Sequence, residues 1–473
     1  MAEQTPKYIE TRTIESRIGS LEFERGFPTP KAVKTLFEFR TFYRAVEVFT
    51  QNTFGVSLYA MRKSLANAGF GKANQVSVWK NRMDSKSILL TANSETVYAM
   101  TFLDLKGDGP TVIESPPKAL GLINDMWMRY IGDMGMMGPD KGEGGKFLIL
   151  PPGYEGKIPE GYYVMQSKTY SVWCAIRLNL VDNKPDVANA LYKEHLKIYP
   201  LSNKDNPEPT ELINASGMEI DTVHSENYTY MEELGHLVEQ EHPDALPDGQ
   251  KFLLASIGME FGKPFQPDAQ LKSTLEEAVA VGAAMLRANM WDYVGDDKWI
   301  YKDRKWWNPF VGGKYTFDPA GYFNYDAQAL FAAYATAVTP AMASKTVGGG
   351  SQYLCSHQDK DGNPLNGDKN YQLHIPAGIP AKNFWSLIVY DSASRSMIQV
   401  AKPMPTISSY TDPVINEDGS VDLYFGPEAP AGKEKNWIET LPNKGWTGVF
   451  RLYGPLESFF DQTWKLNDIE EVK

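Results

Sequence analysis

The chain has 473 residues, of which 42% are hydrophobic and 22% charged, so it has the composition of a globular protein and more length than one ordinary core requires. The formal net charge is −12 and Lys and Arg form no cluster, which argues against nucleic acid as a partner. No apolar run reaches the roughly 18 residues of a membrane-spanning helix, so we expect no membrane span.

The N-terminal region, residues 1–75, is predicted to hold an extended arm followed by helices. Thr29 can cap the first helix, and Pro30 suits its first position, where no amide hydrogen is needed. The helical pattern ends near Asn67, ahead of Gly69. The start of the chain lacks the apolar stretch of a signal peptide. We expect a cytoplasmic protein, or a periplasmic or secreted one if a signal peptide has been removed.

Residues 76–183 form short runs rich in β-branched and aromatic residues, as in an antiparallel sandwich or barrel. Residues 184–345 are mainly helical and include a segment in which Ser273 and Glu276 can form a capping box. Strands return in residues 346–473. The sequence therefore predicts an α+β fold with two β-rich, sandwich-like or jelly-roll-like domains joined by a helical segment.

The run MWMRYIGD, residues 126–133, contains the candidate residue on which most depends. If this run is a strand, Arg129 has the same phase as Trp127 and Asp133 and lies on the same face. A buried arginine needs a carboxylate or an anionic ligand. We therefore predict either an Arg129–Asp133 ion pair or an anion-binding Arg129 that points into a hollow shared by the two halves of the molecule.

A second group of candidates precedes and enters a predicted strand, in the run NSETVY. Glu95 together with Asp133 could supply paired carboxylates for general acid–base catalysis. Asn93 and Tyr98 would then contact the substrate. Polar groups at a strand entrance serve equally well to cap a bend, so a structural role remains open.

Metal sites are weakly indicated. Met134, Met136 and Met137 could offer thioether ligands to Cu(I), but no His or Cys lies nearby, which favours packing. The six histidines form no metal motif. Cys174 lies in an apolar strand pattern and is predicted to be a buried free thiol rather than half of a disulfide with Cys355.

The loop DKDGNPLNGD has part of the spacing of a calcium loop, with Asp359 and Asp361 as possible ligands. Pro364 occupies the sixth position, where Gly is expected, and Asn370 occupies the twelfth, where Glu is expected. The pattern favours a long hairpin loop. We predict no metal and no cofactor.

Two parts of the chain resemble a bacterial two-domain family. The runs NSETVYAMTFLDL, RYIGD and FLILPPGYEG are similar to its N-terminal domain, and FWSLIVYD, NEDGSVDLYFG and TGVFRLYGP to its C-terminal domain. These are the domains of unknown function twelve-fifty-four and twelve-fourteen, and the resemblance covers roughly 60–190 and 345–460. Where members tend to read Asn-Asn-Asp-Thr, this chain has Asn93-Ser94-Glu95-Thr96.

The resemblance implies two β-rich domains joined by helices, the second jelly-roll-like, and it implies no activity. Many relatives carry export signals, so the resemblance is compatible with the mature form of an exported protein, which is one of the two expected localisations. The positions that match the family pattern are Asn93, Glu95, Arg129, Asn370, Tyr371, Trp385, Asp391, Trp437, Arg451 and Tyr453.

Two functions are compatible with these features. The first is a hydrolase acting on a small polar or glycan-like substrate in a cleft between the domains. In that enzyme Glu95 and Asp133 transfer protons and Arg129 holds an anion or oxyanion. Its substrate-binding residues are Asn93, Tyr98, Trp127, Trp385 and Arg451.

The alternative is a non-catalytic protein that binds carbohydrate or another cell-surface ligand through exposed aromatic residues such as Trp306 and Trp307. In either case the partner is a small molecule or carbohydrate, and the sequence leaves a homo-oligomer open. A metal-handling protein is a third, less favoured reading.

Overall fold

The computed structural model describes residue 9 and residues 11–293, 295–319 and 321–472. The chain has an α+β fold with two β-rich parts, which confirms the predicted fold class. Its helices are α1 (Pro30–Asn67), α2 (Asp186–His195), α3 (Thr229–Gln240), α4 (Asp248–Ala255), α5 (Ala269–Trp291), α6 (Tyr325–Tyr334), α7 (Pro340–Ala343) and α8 (Glu457–Phe460).

The strands are short and fall mainly into two regions of the sequence. They are β1 (Arg12–Ser16), β2 (Gly19–Glu24), β3 (Phe27–Pro28), β4 (Gln75–Val78), β5 (Ser87–Ile88), β6 (Thr96–Asp104), β7 (Thr111–Ser115), β8 (Leu120–Asp125), β9 (Tyr130–Gly135), β10 (Gly145–Leu150), β11 (Tyr163–Gln166), β12 (Ser171–Asn179), β13 (Lys197–Pro200), β14 (Glu211–Asn214), β15 (Ile220–Asp221), β16 (Ser351–Ser356), β17 (Asn370–Ile375), β18 (Ala381–Asp391), β19 (Thr406–Ser408), β20 (Val421–Gly426), β21 (Trp437–Glu439), β22 (Trp446–Pro455) and β23 (Glu470–Val472).

The N-terminal β domain is built from a six-stranded sheet, in the order β14-β4-β6-β12-β8-β9, and a four-stranded sheet, in the order β11-β10-β7-β13. An apolar core lies between the two sheets and takes alternate residues of the long strands, such as Val97 and Ala99 of β6. The intervening residues of the same strands face the helices and the rest of the molecule. Both faces of the six-stranded sheet are therefore buried.

The C-terminal β domain pairs two four-stranded sheets, in the orders β16-β22-β18-β19 and β21-β20-β17-β23. Their core again takes alternate residues, such as Phe450 and Leu452 of β22. The other phase of β22, which includes Val449, faces the helices and the N-terminal β domain. Each domain thus turns one sheet face toward the other.

Helices α1, α3, α4, α5 and α6 form one layer, because α1 packs against each of the other four. Thr29 caps α1 by accepting a hydrogen bond from the amide of Ala32, with Pro30 at the first position, as predicted. Gly282 lets α5 approach α1 closely, since a Cβ atom there would lie 2.5 Å from a ring carbon of Phe49.

The predicted capping box at the start of α5 is wrong. The helix begins earlier, and Asp268 caps it by accepting a hydrogen bond of 2.8 Å from the amide of Leu271. Ser273 and Glu276 therefore lie inside the helix. No helix in the described part of the chain is long and apolar enough to cross a membrane.

The predicted hairpin over the loop DKDGNPLNGD is also wrong, because β16 and β17 on either side belong to different sheets. Asp359 is buried, and its Oδ1 accepts hydrogen bonds of 2.9 Å from the amides of Asp361 and Asn363. Within the described ranges, no group of three or more His, Cys, Asp and Glu side chains lies close enough together to hold a metal ion. Cys174 and Cys355 are both buried free thiols, as predicted.

Candidate functional site

A cavity of about 110 Å³ lies between the facing sheets of the two β domains, and we call it the interdomain cavity. The N-terminal six-stranded sheet forms one wall, and strands β16 and β22 of the C-terminal domain form another. The segment 335–342, which follows α6, covers it from a third side. Its lining is mainly apolar and includes Met83, Leu89, Met100, Trp173, Phe310 and Phe331.

Strand register places the polar groups of the N-terminal wall. Arg177 in the centre of β12 lies opposite Tyr98 of β6 and Leu120 of β8, and directly opposed residues share a sheet face. Leu122 of β8 lies two residues from Leu120 and has the same phase, and Asp133 of β9 lies opposite Leu122. All of these side chains line the interdomain cavity.

The C-terminal wall is built in the same way. Arg451 of β22 lies opposite Tyr353 of β16, and Tyr453, two residues further on, has the same phase. Cys355 and Val449 form the neighbouring pair on that face. These five residues also line the cavity, so each domain contributes one arginine to it.

Arg177 and Arg451 share their surroundings. The guanidinium of Arg177 lies 5.9 Å from the ring centre of Tyr453, and that of Arg451 lies 5.9 Å from the ring centre of Tyr353. Arg451 also donates a hydrogen bond of 2.9 Å to the carbonyl of Thr91. Among the described residues neither arginine forms a salt bridge, although Asp133 is close enough to Arg177 for the two charges to interact.

The positive charge of Arg177 affects the pKa of Tyr98. Burial raises the pKa of a phenol, but Arg177 and the hydrogen bonds of Asn93 and Thr96 outweigh burial and hold the pKa of Tyr98 below its ordinary value. The amide of Asn93 also donates a hydrogen bond of 2.8 Å to the hydroxyl of Tyr453. Asn93 therefore joins one tyrosine from each domain at the cavity.

Asp133 is the carboxylate of the cavity. It is 6% exposed, and its Oδ1 accepts a hydrogen bond of 2.7 Å from the hydroxyl of Thr339. Burial raises the pKa of Asp133 to about 6, against the opposing effects of Thr339, Tyr130 and Arg177. This carboxyl group can therefore gain or lose a proton near neutral pH.

Buried donors without a partner among the described residues also line the cavity. They are Nη1 of Arg451, Nε1 of Trp173 and the hydroxyl of Tyr334. A buried donor that makes no hydrogen bond is costly, so such groups require an acceptor. Together with Arg177 they make the cavity rich in donors.

The segment 335–342 is held over the cavity by two side chains of the N-terminal domain. Asn124 donates to the carbonyl of Val338 at 2.8 Å and accepts from its amide at 2.9 Å. Thr339 is tied to Asp133, as described above. Ala337 has a φ of 80°, a strained conformation for a residue other than glycine.

Methionines lie where the cavity wall meets solvent. Met137 is 40% exposed and, with the half-buried Met342, lines the cavity. Met134 is buried in the core of the N-terminal β domain, whereas Met136 is exposed. The three methionines therefore differ in environment, with Met134 in the core and Met136 and Met137 exposed.

The predicted orientation of Arg129 is wrong. Residues 126–129 form the turn between β8 and β9 instead of a strand, and Met128 has a φ of 51°. Asp125, which the sequence analysis did not single out, accepts from the amides of Trp127 and Arg129 and forms a 2.7 Å salt bridge with the Arg129 side chain. Arg129 therefore closes a hairpin turn, does not pair with Asp133 and does not line the interdomain cavity.

Glu95 lies beside the cavity but does not line it. It is fully buried, and its carboxylate accepts hydrogen bonds from the hydroxyls of Ser94, Thr406 and Ser408. Because Thr406 and Ser408 belong to β19, Glu95 links the two domains. The structure does not bring Glu95 and Asp133 together as a carboxylate pair.

Of the aromatic residues predicted to contact a ligand, one lines the cavity and the others lie elsewhere. Tyr98 lines the cavity, whereas Trp127 is buried and donates a 3.0 Å hydrogen bond to Asn52 of α1. Trp385 lies in the C-terminal core. Trp306 and Trp307 are 0% and 1% exposed, so the prediction of an exposed aromatic surface at these residues is wrong.

Of the predicted site residues, the structure therefore brings Asn93, Tyr98, Asp133 and Arg451 to one cavity. Sequence reasoning missed Arg177, which is the main cation of the N-terminal wall. A charged residue at the centre of the apolar run SVWCAIRLNLV, in phase with Trp173, was the available signal.

Two family matches coincide with the two β domains. Residues 73–200 match the family described as "Protein of unknown function (DUF1254)", and residues 350–457 match "Protein of unknown function (DUF1214)". The chain therefore carries these two domains of unknown function, in the predicted order. None of the curated proteins compared with the chain matches it.

Solved structures also match the chain, with different degrees of similarity. The VPA0106 protein from Vibrio parahaemolyticus is 17% identical, with a TM-score of 0.55, over 91% of this chain and 100% of that one. This similarity shows a common fold and nothing about activity. An uncharacterised protein from Burkholderia cenocepacia is 11% identical, with a TM-score of 0.40, over 93% of this chain and 97% of that one.

Proposed function

We propose that this chain, with its DUF1254 and DUF1214 domains, binds a small organic anion with an apolar body in the interdomain cavity. The observation that carries the proposal is the pair of arginines, one from each domain, which line the same cavity without a salt bridge to any described acidic side chain. A guanidinium removed from water needs a compensating negative group, and a carboxylate ligand would supply it to both.

The rest of the cavity supports an apolar body. Apart from the arginines, tyrosines and Asp133, its lining is dominated by aliphatic, methionine and phenylalanine side chains. Small-molecule sites typically combine such a lining with a few polar groups that fix the ligand's orientation. The unpartnered donors on Arg451, Trp173 and Tyr334 offer further hydrogen bonds to ligand oxygens.

Isothermal titration calorimetry with hexanoate, benzoate and phenylacetate tests this proposal, with hexanol as the neutral control. We expect a carboxylate to bind and hexanol to bind at least tenfold more weakly. Charge-assisted hydrogen bonds contribute about 1.5–3 kcal/mol each, so Arg451→Met and Arg177→Met should each weaken carboxylate binding about tenfold or more.

Two arginines outside the cavity serve as matched controls. Arg40 is exposed on α1, and Arg129 closes the β8–β9 turn, so Arg40→Met and Arg129→Met should leave carboxylate affinity unchanged in folded protein. Arg451→Lys and Arg177→Lys retain a positive charge and cover the case in which a methionine variant does not fold. The proposal is refuted if no carboxylate binds, or if affinity falls in the control variants and persists in the cavity variants.

A second candidate function is hydrolysis of an ester or amide of such an acid, and Asp133 favours it. A carboxyl group with a pKa of about 6 can take a proton from water as the water oxygen adds to the acyl carbon, and can return it to the leaving group. Arg177 and Arg451 would hold the oxyanion. Glu95 has no part in this scheme, because it lies outside the cavity and its carboxylate accepts hydrogen bonds from three hydroxyls at the contact between the domains.

Hydrolysis is tested with a panel of esters of the carboxylic acids that bind and with the variant Asp133→Asn. The expected result is a loss of turnover of about a hundredfold or more with retained binding of the acid product. Equal turnover in the variant would remove Asp133 as the proton acceptor and leave binding as the function.

A further inference from the structure

We infer that the ligand of the interdomain cavity is a hydroxy acid, a monocarboxylate whose carboxylate binds Arg177 and Arg451 while its hydroxyl group donates a hydrogen bond to Asp133. This inference rests on the proposed anion binding and goes beyond it, because it assigns the second polar group of the ligand and makes Asp133 the residue that determines specificity.

The two arginines define the place of the carboxylate. Both guanidinium groups interact with the same two phenols, Tyr353 and Tyr453, although they come from different domains. They therefore lie near the same small region of the cavity, one on the wall of each domain. An anion in that region can accept hydrogen bonds from both, and Nη1 of Arg451 has no other acceptor among the described residues.

Asp133 differs in kind from the other polar groups of the cavity. The arginines, the Trp173 indole and the Tyr334 hydroxyl all present donors, whereas an ionised carboxylate only accepts. Thr339 satisfies Oδ1 at 2.7 Å. Asp133 and Arg177 line the same wall of the cavity and interact electrostatically but form no salt bridge in the described structure, so one bound molecule can contact both.

The balance of charge selects the type of donor. Two arginines and one ionised aspartate give the cavity a net charge of +1, from +2 and −1. A monocarboxylate with a neutral hydroxyl group brings the occupied cavity to zero. An amino acid is a zwitterion and would leave the charge at +1, with one more positive group buried beside the two arginines, which desolvation disfavours.

The experiment compares hexanoate with its α- and β-hydroxy derivatives and with norleucine, by calorimetry at pH 8, where Asp133 is ionised. We expect one hydroxy acid to bind wild-type protein about tenfold more tightly than hexanoate, the size of one charge-assisted hydrogen bond. In Asp133→Asn this advantage should fall to about twofold or less, while hexanoate affinity is retained or increased.

A second measurement needs no variant. Protonation of Asp133 weakens it as an acceptor, so the advantage of the hydroxy acid over hexanoate in wild-type protein should shrink as the pH falls from 8 to 5. Arg177, Tyr130 and Thr339 are the groups that face this carboxyl, and neither the arginine nor the phenol titrates in that range.

The outcomes separate this inference from the proposed function. If no carboxylate binds, the proposed function itself fails. If hexanoate and both hydroxy acids bind with equal affinity, anion binding stands and the hydroxy-acid assignment is overturned. The assignment is also overturned if norleucine binds most tightly, or if the hydroxyl advantage persists unchanged in Asp133→Asn.

Discussion

Asp133→Asn should stabilise the folded protein at high pH. Burial raises the pKa of Asp133 from 3.8 to about 6, so ionisation of this carboxyl opposes folding even though Arg177 lies nearby. Each pKa unit corresponds to 1.36 kcal/mol, and a shift of about two units corresponds to about 3 kcal/mol at most. Asparagine avoids this penalty and keeps an oxygen that can accept the Thr339 hydrogen bond.

The sign of the pH dependence is fixed by the direction of the shift. The folded-state pKa exceeds the unfolded-state pKa, so the contribution of Asp133 to stability is most favourable below pH 3.8 and is lost as the pH rises through about 6. The gain from Asp133→Asn should therefore be largest at pH 8 and should vanish by about pH 4.

Urea unfolding at pH 8, 6 and 4 measures this gain. The matched control is Asp205→Asn, an exposed loop aspartate, for which we expect a change within about 0.5 kcal/mol. A variant that is less stable than wild type at pH 8, or a gain that is independent of pH, would refute the reasoning. Such a result would mean that Asp133 is a stabilising counter-ion and not an accessible functional carboxylate.

Three further predictions concern the surroundings of the cavity. Burial, with Arg395 nearby, lowers the pKa of His224 to about 4. The contribution of neutral His224 to stability is therefore complete above about pH 6.5 and is lost as the pH falls toward 4. The variant His224→Gln should flatten that part of an acid-unfolding curve. Glu95→Ala leaves three buried hydroxyls without their acceptor, and urea unfolding should show a loss of about 3 kcal/mol, whereas a loss below about 1 kcal/mol would contradict the proposed domain link. Asn124→Ala releases Val338 and should speed both association and dissociation of a carboxylate in stopped-flow measurements, whereas unchanged rates would mean that the segment 335–342 does not control entry.

Local signals in the sequence predicted the elements that depend on them. The cap of α1 follows from Thr29 and Pro30 alone, and the short runs rich in β-branched and aromatic residues predicted the first β-rich part. The Asp268 cap of α5 was missed because a plausible capping box stands a few residues further along the chain. The choice between such competing caps depends on tertiary packing.

The candidate site was only partly predictable because it joins residues distant in sequence. The register of two sheets brings Arg177 and Arg451 to the same cavity, and no spacing along the chain predicts this. The prediction for Arg129 was wrong for a more local reason. The strand pattern of residues 126–133 looks continuous in the sequence. The carboxylate of Asp125 accepts hydrogen bonds from the amides of Trp127 and Arg129, however, and this stabilises a turn there.

The most direct test of the account is a crystal structure of the protein soaked with ω-bromohexanoate, in which anomalous scattering locates the bromine atom. The account predicts a carboxylate within hydrogen-bond distance of both Arg177 and Arg451, with the bromine among the apolar side chains of the interdomain cavity. A ligand bound elsewhere, or one in the cavity whose carboxylate contacts neither guanidinium group, would contradict it.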